Sequence, residues 1–176
     1  MESRVIKFIV DEMCGKIVRW LRILGFDAIK ITDLIDLKNE KIDDTIVLNK
    51  TAITKRILLT KDKELHKRAK NMGLTSVLIR NKNDIASELA DIFLDLKINP
   101  LKLNLSPRCP KCNGLLIKVD KRKLKNKLPR NIVNKHDDFY ECTTCGSIYW
   151  YGSHWINIRN VISRISNIVS LEKSQN

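Results

Sequence analysis

Two cysteine pairs, Cys109-Pro110-Lys111-Cys112 and Cys142-Thr143-Thr144-Cys145, carry the sharpest chemical signal in this chain of 176 residues. A C-x-x-C turn places two thiolates on one side of a tight loop, and Gly114 and Gly146 behind each turn let the backbone curl beneath a metal. Two such turns complete a tetrahedral four-sulfur set of the kind zinc prefers, with no open coordination position, so the expected Zn²⁺ is structural. The 29 residues between the pairs require a long hairpin. A redox dithiol and a four-cysteine iron–sulfur centre are the competing readings, against which the knuckle glycines favour zinc. Cys14 is left over, and five cysteines in a chain of this kind argue against a disulfide framework.

A second chemistry is written in carboxylates. Asp11 follows the apolar run Val5-Ile6-Lys7-Phe8-Ile9-Val10, and Asp62 follows Arg56-Ile57-Leu58-Leu59-Thr60-Lys61. If both runs are strands of an open parallel sheet, their carboxyl ends line one crevice, where ligands bind. Asp43 or Asp44 could add a third carboxylate and Asp84 a fourth. Clustered carboxylates repel unless a cation neutralises them, and hard oxygen ligands suit Mg²⁺ or Mn²⁺. Such a metal can generate hydroxide and stabilise a phosphodiester leaving group. The competing reading of each acid singly is a helix N-cap. Lys16, Arg19 and Arg22 form a basic stripe after Asp11, either a solvated face or a grip on substrate phosphates.

The elements that must position these groups follow from the apolar periodicity. Short apolar runs at 5–10, 28–32, 56–60 and 76–79 read as strands. Between them, Ile17, Trp20, Leu21 and Leu24 recur at helical spacing up to Gly25; a helix begins near Asp43-Asp44, another runs from Lys63 to Met72 before Gly73, and a fourth runs from Asp84 to Leu96. Repeated strand–helix order with short connections predicts an α/β fold, a parallel sheet covered by helices on both faces. Asn99-Pro100 ends that pattern and Ser106-Pro107 opens another. The expected organisation is an α/β unit at residues 1–100, then at 101–176 a zinc ribbon with an amphipathic C-terminal helix carrying Ile158, Val161, Ile162, Ile165 and Val169. That helix carries too few basic residues for a membrane surface and is expected to pack on the body.

The hydrophobic share of 43% permits a packed core. No apolar run approaches a membrane span, and the start of the chain shows no secretory leader, so a cytoplasmic protein is expected. Basic residues outnumber acidic ones by 33 to 20. From Leu101 to Tyr140 there are eleven basic and three acidic residues, which is either a nucleic-acid footprint or a solvated hairpin tip. Tyr149, Trp150, Tyr151 and Trp155 lie within seven residues and could stack bases or fill the small core a ribbon needs.

One resemblance spans nearly the whole chain. Phe8-Ile9-Val10-Asp11-Glu12, with Gly15-Lys16-Ile17-Val18-Arg19-Trp20-Leu21-Arg22 and Gly25-Phe26-Asp27, closely resembles the opening motif of the Mut7-C family of PIN-like ribonucleases. Arg56-Ile57-Leu58-Leu59-Thr60-Lys61-Asp62 is similar to its second signature, with Lys61 where the family typically has Arg. The cysteine pairs, Tyr149-Trp150 and Gly152-Ser153-His154-Trp155 resemble its C-terminal zinc ribbon. The resemblance implies a PIN-like fold and a metal-dependent ribonuclease hydrolysing RNA phosphodiester bonds. It implies Asp11, Asp44 and Asp62 as the catalytic acids that bind Mg²⁺ or Mn²⁺. Asp44 stands where the family usually places an acid, twelve residues before Arg56, with Asp43 its close competitor. Lys16, Arg19, Arg22 and Lys61 are then expected on RNA phosphates, and Lys121, Arg122, Lys123 and Lys125 of the ribbon are expected to hold RNA. Cys14 stands where the family commonly carries Leu, a change expected to affect packing. The alternative is a non-catalytic RNA-binding or ribosome-associated adaptor that keeps the scaffold without its chemistry.

Overall fold

A computed structural model describes residues 6–35, 41–82, 84–99, 108–124 and 126–174. Val5, Pro100, Ser106, Pro107 and Lys125, all used above, lie outside the described residues, as does the expected boundary near residue 100.

Four short strands, β1 (Lys7–Val10), β2 (Asp27–Lys30), β3 (Ile57–Thr60) and β4 (Ser76–Leu78), form a parallel sheet in the order β2-β1-β3-β4. Helices α1 (Gly15–Ile23), α2 (Asp44–Thr54) and α3 (Lys63–Asn71) make the crossovers, and α4 (Ile85–Asp95) follows β4. The strands are buried on both faces, and their side chains divide by the two-residue alternation of a pleated strand. Phe8, Val10 and Leu59 point into a core shared with Ile17, Val18 and Leu21 of α1 and Leu89, Ile92 and Phe93 of α4. Ile9 and Leu58 point the other way, against Val47 and Leu48 of α2 and Leu65 and Ala69 of α3. The expected α/β class with helices on both faces is what the chain forms. Gly25 and Gly73 close α1 and α3 at φ of +91° and +73°, a backbone that side chains disfavour. The second strand is shorter than the apolar run suggests, because Ile31–Leu34 turns into a 3₁₀ segment held by Asp33, which accepts from the Lys30 backbone N–H.

The remainder builds an antiparallel sheet of β5 (Leu116–Val119), β6 (Phe139–Cys142) and β7 (Ile148–Trp150) in that order. The long excursion between the cysteine pairs carries a 3₁₀ turn at Lys121–Leu124 and the short helix α5 (Arg130–Lys135). A small separate core forms from Leu124, Val133 and Phe139, with Trp150 against it. The last helix, α6 (Ser153–Ser174), then returns to the α/β unit. Its Ile165 and Val169 are buried in the core beside α4, and Arg164 pairs with Asp84 at 3.0 Å. No helix among the described residues is long and apolar enough to cross a membrane.

The ribbon is fastened to the sheet edge by a polar junction. The outward-facing Ala28 of edge strand β2 donates its N–H to Asn113 Oδ1 (3.2 Å) and accepts from Arg22 Nε (2.7 Å). Arg22 also donates to the carbonyl of Lys111 (3.1 Å) and to Asp33 (3.0 Å). Asn113 Nδ2 donates to Asp27 (2.8 Å), whose two oxygens take the guanidinium fork of Arg56 at 2.8 and 3.1 Å. Burial pushes the Asp27 carboxyl up, but the hydrogen bonds from Arg56 and Asn113 outweigh it and hold the group below its usual range. Its stabilising contribution is therefore complete above the ordinary carboxylate value and is lost as pH falls through the lowered native one. Arg56→Ala, which strands the carboxylate, is expected to cost on the order of 3 kcal/mol in urea unfolding. Asp27→Asn should flatten the acid limb of the stability profile below roughly pH 4.

Candidate functional site

The sheet order changes direction between β1 and β3, and open α/β sheets bind ligands outside the carboxyl ends of their strands at such a switch point. Asp11 and Asp62 stand there. Thr60, the last residue of β3, joins them: its hydroxyl donates to Asp11 Oδ2 at 2.8 Å and accepts from the Asp62 backbone N–H at 3.0 Å. Each acid also does local work. Asp11 Oδ1 caps the 3₁₀ turn Glu12–Cys14, and Asp62 Oδ1 accepts from the N–H groups of Glu64 and Leu65 to start α3. Asp43 and Asp84 are likewise the N-caps of α2 and α4. The capping reading of these acids is therefore realised, and at Asp11 and Asp62 it coexists with a place just past the carboxyl ends of the paired strands β1 and β3.

Asp44 is placed differently. It is the first residue of α2 and holds Arg68 of α3 at 2.7 Å. Asp11, Asp44 and Asp62 do not assemble into a three-acid cluster, since among the described residues the cysteines form the one group of three or more side chains arranged to hold a metal. A carboxylate that the sequence reading did not single out enters instead. Glu88 of α4 pairs with Lys61 at 2.9 Å, and both line a crevice of about 800 Å³ with Lys16, Lys82, Asp84 and Cys14. Glu88 sits in the first turn of α4, and that helix was legible; which of its faces meets the carboxyl end of β3 was not. The Cys14 thiol is pushed up to about 11 by burial, with Asp11 adding to the effect, so it remains a protonated packing group.

The basic candidates separate. Lys16 borders the crevice, whereas Arg19, one turn on, borders a different groove beside the ribbon. Arg22 corrects the sequence reading: it is 3% exposed and its guanidinium is committed to Ala28, Asp33, Pro110 and Lys111, so it holds the fold together and cannot reach phosphate. Lys61 faces Glu88. On the ribbon, Lys121 pairs with Asp137 and Arg122 with Asp120, and two neighbours, Lys118 and Lys127, pair with Asp138 and Glu141. Lys123 is exposed. Four cations of the dense positive run are thus answered by local acids, which the composition of the run alone does not reveal.

The four cysteines converge as expected, their sulfurs all within 4.8 Å of one another. Cys109 to Cys145 is 3.7 Å and Cys112 to Cys142 is 3.4 Å, close to the ~3.8 Å edge of a tetrahedron with Zn–S bonds of about 2.3 Å. The backbone N–H groups of Thr144 and Cys145 point at Cys142 Sγ and hold that thiol down although burial raises it. The Ser147 hydroxyl, 3.2 Å from Cys145 Sγ, lowers that thiol to about 6. Tyr149 places its hydroxyl 3.0 Å from Cys109 Sγ. The donor set fits zinc: four soft ligands at tetrahedral spacing, with the thiols of Cys142 and Cys145 held below their ordinary value. A Cβ on Gly114 would stand 2.5 Å from Thr144 Oγ1 and 2.8 Å from Cys142 Sγ, so the backbone passes beneath the site only as glycine.

A four-stranded parallel α/β body with paired acids at its switch point, fastened to a four-thiolate knuckle site, defines the class. The chain matches the Mut7-C RNAse domain over residues 6–162 and belongs to that family. No curated protein and no solved structure matches it.

The purified chain should carry one zinc by native mass spectrometry. Cys142→Ser should abolish that zinc, and Gly114→Ala should weaken its retention against a chelator by at least roughly tenfold, the effect expected when the surroundings of a ligand are disturbed.

Proposed function

We propose that the protein is a divalent-metal-dependent ribonuclease whose chemistry resides at the β1/β3 switch point. The observation that carries this reading is the Thr60 bridge, which ties the Asp11 carboxylate to the backbone N–H of Asp62 where the strand order reverses. Membership of an RNAse domain family supports it. Two half-exposed to exposed carboxylates suit Mg²⁺ or Mn²⁺, which take one or two protein acids and fill their remaining positions with water and phosphate oxygens. Such a metal would supply Lewis-acid stabilisation and an activated water. Asp11 and Asp62 would hold it, with Glu88 across the crevice and Asp44 as an outer acid released from Arg68 on loading. Lys16 and Lys61 would orient substrate phosphates as point charges. The four cysteines hold a structural zinc in this reading, and the ribbon assists RNA binding.

One feature favours the alternative, a non-catalytic RNA-binding or ribosome-associated adaptor: the Lys61 ammonium already neutralises Glu88 within the crevice.

Cleavage of single-stranded and structured RNAs with Mn²⁺ or Mg²⁺ separates the two. Asparagine caps helices about as well as aspartate, so Asp11→Asn and Asp62→Asn should keep the fold and the zinc while losing cleavage by about a hundredfold or more. Asp44→Asn should cost less. Unchanged cleavage in Asp62→Asn defeats the assignment of the site. RNA binding by the wild-type chain with no metal-dependent cleavage supports the adaptor.

A further inference from the structure

A second concavity, of about 890 Å³, lies between α1, the ribbon sheet and the start of α6. It is larger than the acidic crevice and distinct from it. Tyr140, Tyr151 and Trp155 are set along it as a ring series. Tyr151 lies 4.6 Å from Trp155 and 5.7 Å from Tyr140 between ring centroids, and the hydroxyl of Tyr151 donates to that of Tyr140 at 3.3 Å. Trp150, by contrast, packs on Phe139 in the ribbon core, so the aromatic cluster divides between the two roles its sequence left open. Tyr151 stays 44% exposed, an unusual state for a large ring that is already oriented by two neighbours.

The surround of these rings is positively charged. Arg19, Arg108 and Lys135 line the groove together with His136 and His154, and no Asp or Glu is among the described residues that line it. The nearest acid to influence Tyr151, Asp138, is held by Lys118. Preset aromatic faces ringed by cations, without acids, match a flexible polyanion with flat bases: rings stack bases of any sequence while the cations follow the phosphates. An acidic peptide would use the charge but leave the ring series unexplained. Duplex RNA keeps its bases stacked internally and offers no free face.

The groove also has a route to the crevice. Arg19 borders the groove and Lys16 the crevice, three positions apart on the exposed side of α1. Residues at that spacing are neighbours on a helix surface, ~4.5 Å apart along the axis, so one backbone step spans them.

We propose that this groove seats single-stranded RNA, with bases stacked on Tyr151 and Trp155 and phosphates on Arg19 and Arg108, and that α1 leads the strand from there to the crevice of Lys16 and Lys61, whose Cys14 lies beside Asp11. The proposal rests on the ribonuclease reading for the direction of travel but is tested by binding, which does not require cleavage. The RNA grip is thereby moved from the ion-paired Lys121 and Arg122 to the face where ribbon and α/β body meet.

The test uses the full zinc-loaded chain carrying Asp62→Asn and a fluorescent single-stranded oligoadenylate, read by anisotropy. Adding Tyr151→Ala and Trp155→Ala should weaken binding by about tenfold or more, given what base stacking contributes per base, with zinc content and melting temperature unchanged. Arg19→Gln and Arg108→Gln together should lower the salt dependence of log affinity by ~1.4, about 0.7 for each phosphate contact on a single strand. Indole quenching on RNA binding should fall sharply in Trp155→Phe, a variant that keeps a stacking ring and the fold and leaves only Trp20 and Trp150 to report. Unchanged affinity in the Tyr151/Trp155 variant overturns the proposal. So does equal affinity for duplex and single strand, or competition by polyglutamate as effective as that by RNA. Should the double alanine variant lose its zinc, the arginine pair and the quenching experiment decide alone, and an unchanged salt slope with persistent quenching overturns it. Groove-dependent binding by a wild-type chain that never cuts RNA would defeat the ribonuclease reading and leave the groove standing.

Discussion

Every open parallel sheet has two edge strands whose outward N–H and C=O groups need partners. In this protein the β2 edge is answered at Ala28 by Asn113 of the cysteine knuckle and by Arg22 of α1. Asp27 is the centre of that junction. Its carboxylate receives Asn113 from the ribbon and the Arg56 fork from the start of β3, while Arg56 also reaches the carbonyl of Phe8 in β1. A single acid thus binds three strands and the metal subdomain into one unit. Such a network is worth most when every member is satisfied, because in a half-buried setting any donor left unpaired costs more than its bond contributes. The two parts of the chain are consequently not beads on a string: α6 adds a second attachment by packing on α4.

The crevice shows how one residue type serves two physical ends. An aspartate after a strand starts the next helix by accepting its free N–H groups, and four of them do so here. Capping engages one carboxylate oxygen and leaves the other for a second partner, which at Asp11 is the Thr60 hydroxyl. The addition of Thr60 turns two such caps into neighbours. The same geometry explains why local sequence is a weak guide to function at these positions: cap and ligand have the same spelling, and the strand order separates them.

Charge shows the converse. The basic run of the ribbon reads as the strongest electrostatic feature of the chain, yet Lys118, Lys121, Arg122 and Lys127 each meet an acid within the ribbon. Exposed pairs of this kind contribute little to stability, but each offsets one positive charge of the run. The cations of the groove, Arg19, Arg108 and Lys135, are scattered in sequence and are gathered only where α1 and α5 face the ribbon.

The sequence by itself determined the parallel α/β class, the positions of the strands and helices of the α/β unit to within a residue or two, and the four-cysteine site. These depend on local periodicity, on caps and glycines, and on a spacing that admits few alternatives. It also placed Asp11 and Asp62 at strand ends. Tertiary structure alone decided the rest. Arg22 and Arg19 sit three residues apart on one helix, and nothing local says that one is buried against Ala28 and Lys111 while the other stays exposed. Glu88 meets Lys61 and Thr60 meets Asp11 because β3 lies between β1 and β4 and α4 crosses the same end. Asp44 leaves the acid pair for Arg68 because α2 and α3 share the opposite face. Each of these outcomes depends on which elements become neighbours, a long-range fact that residue spacing along one chain does not contain.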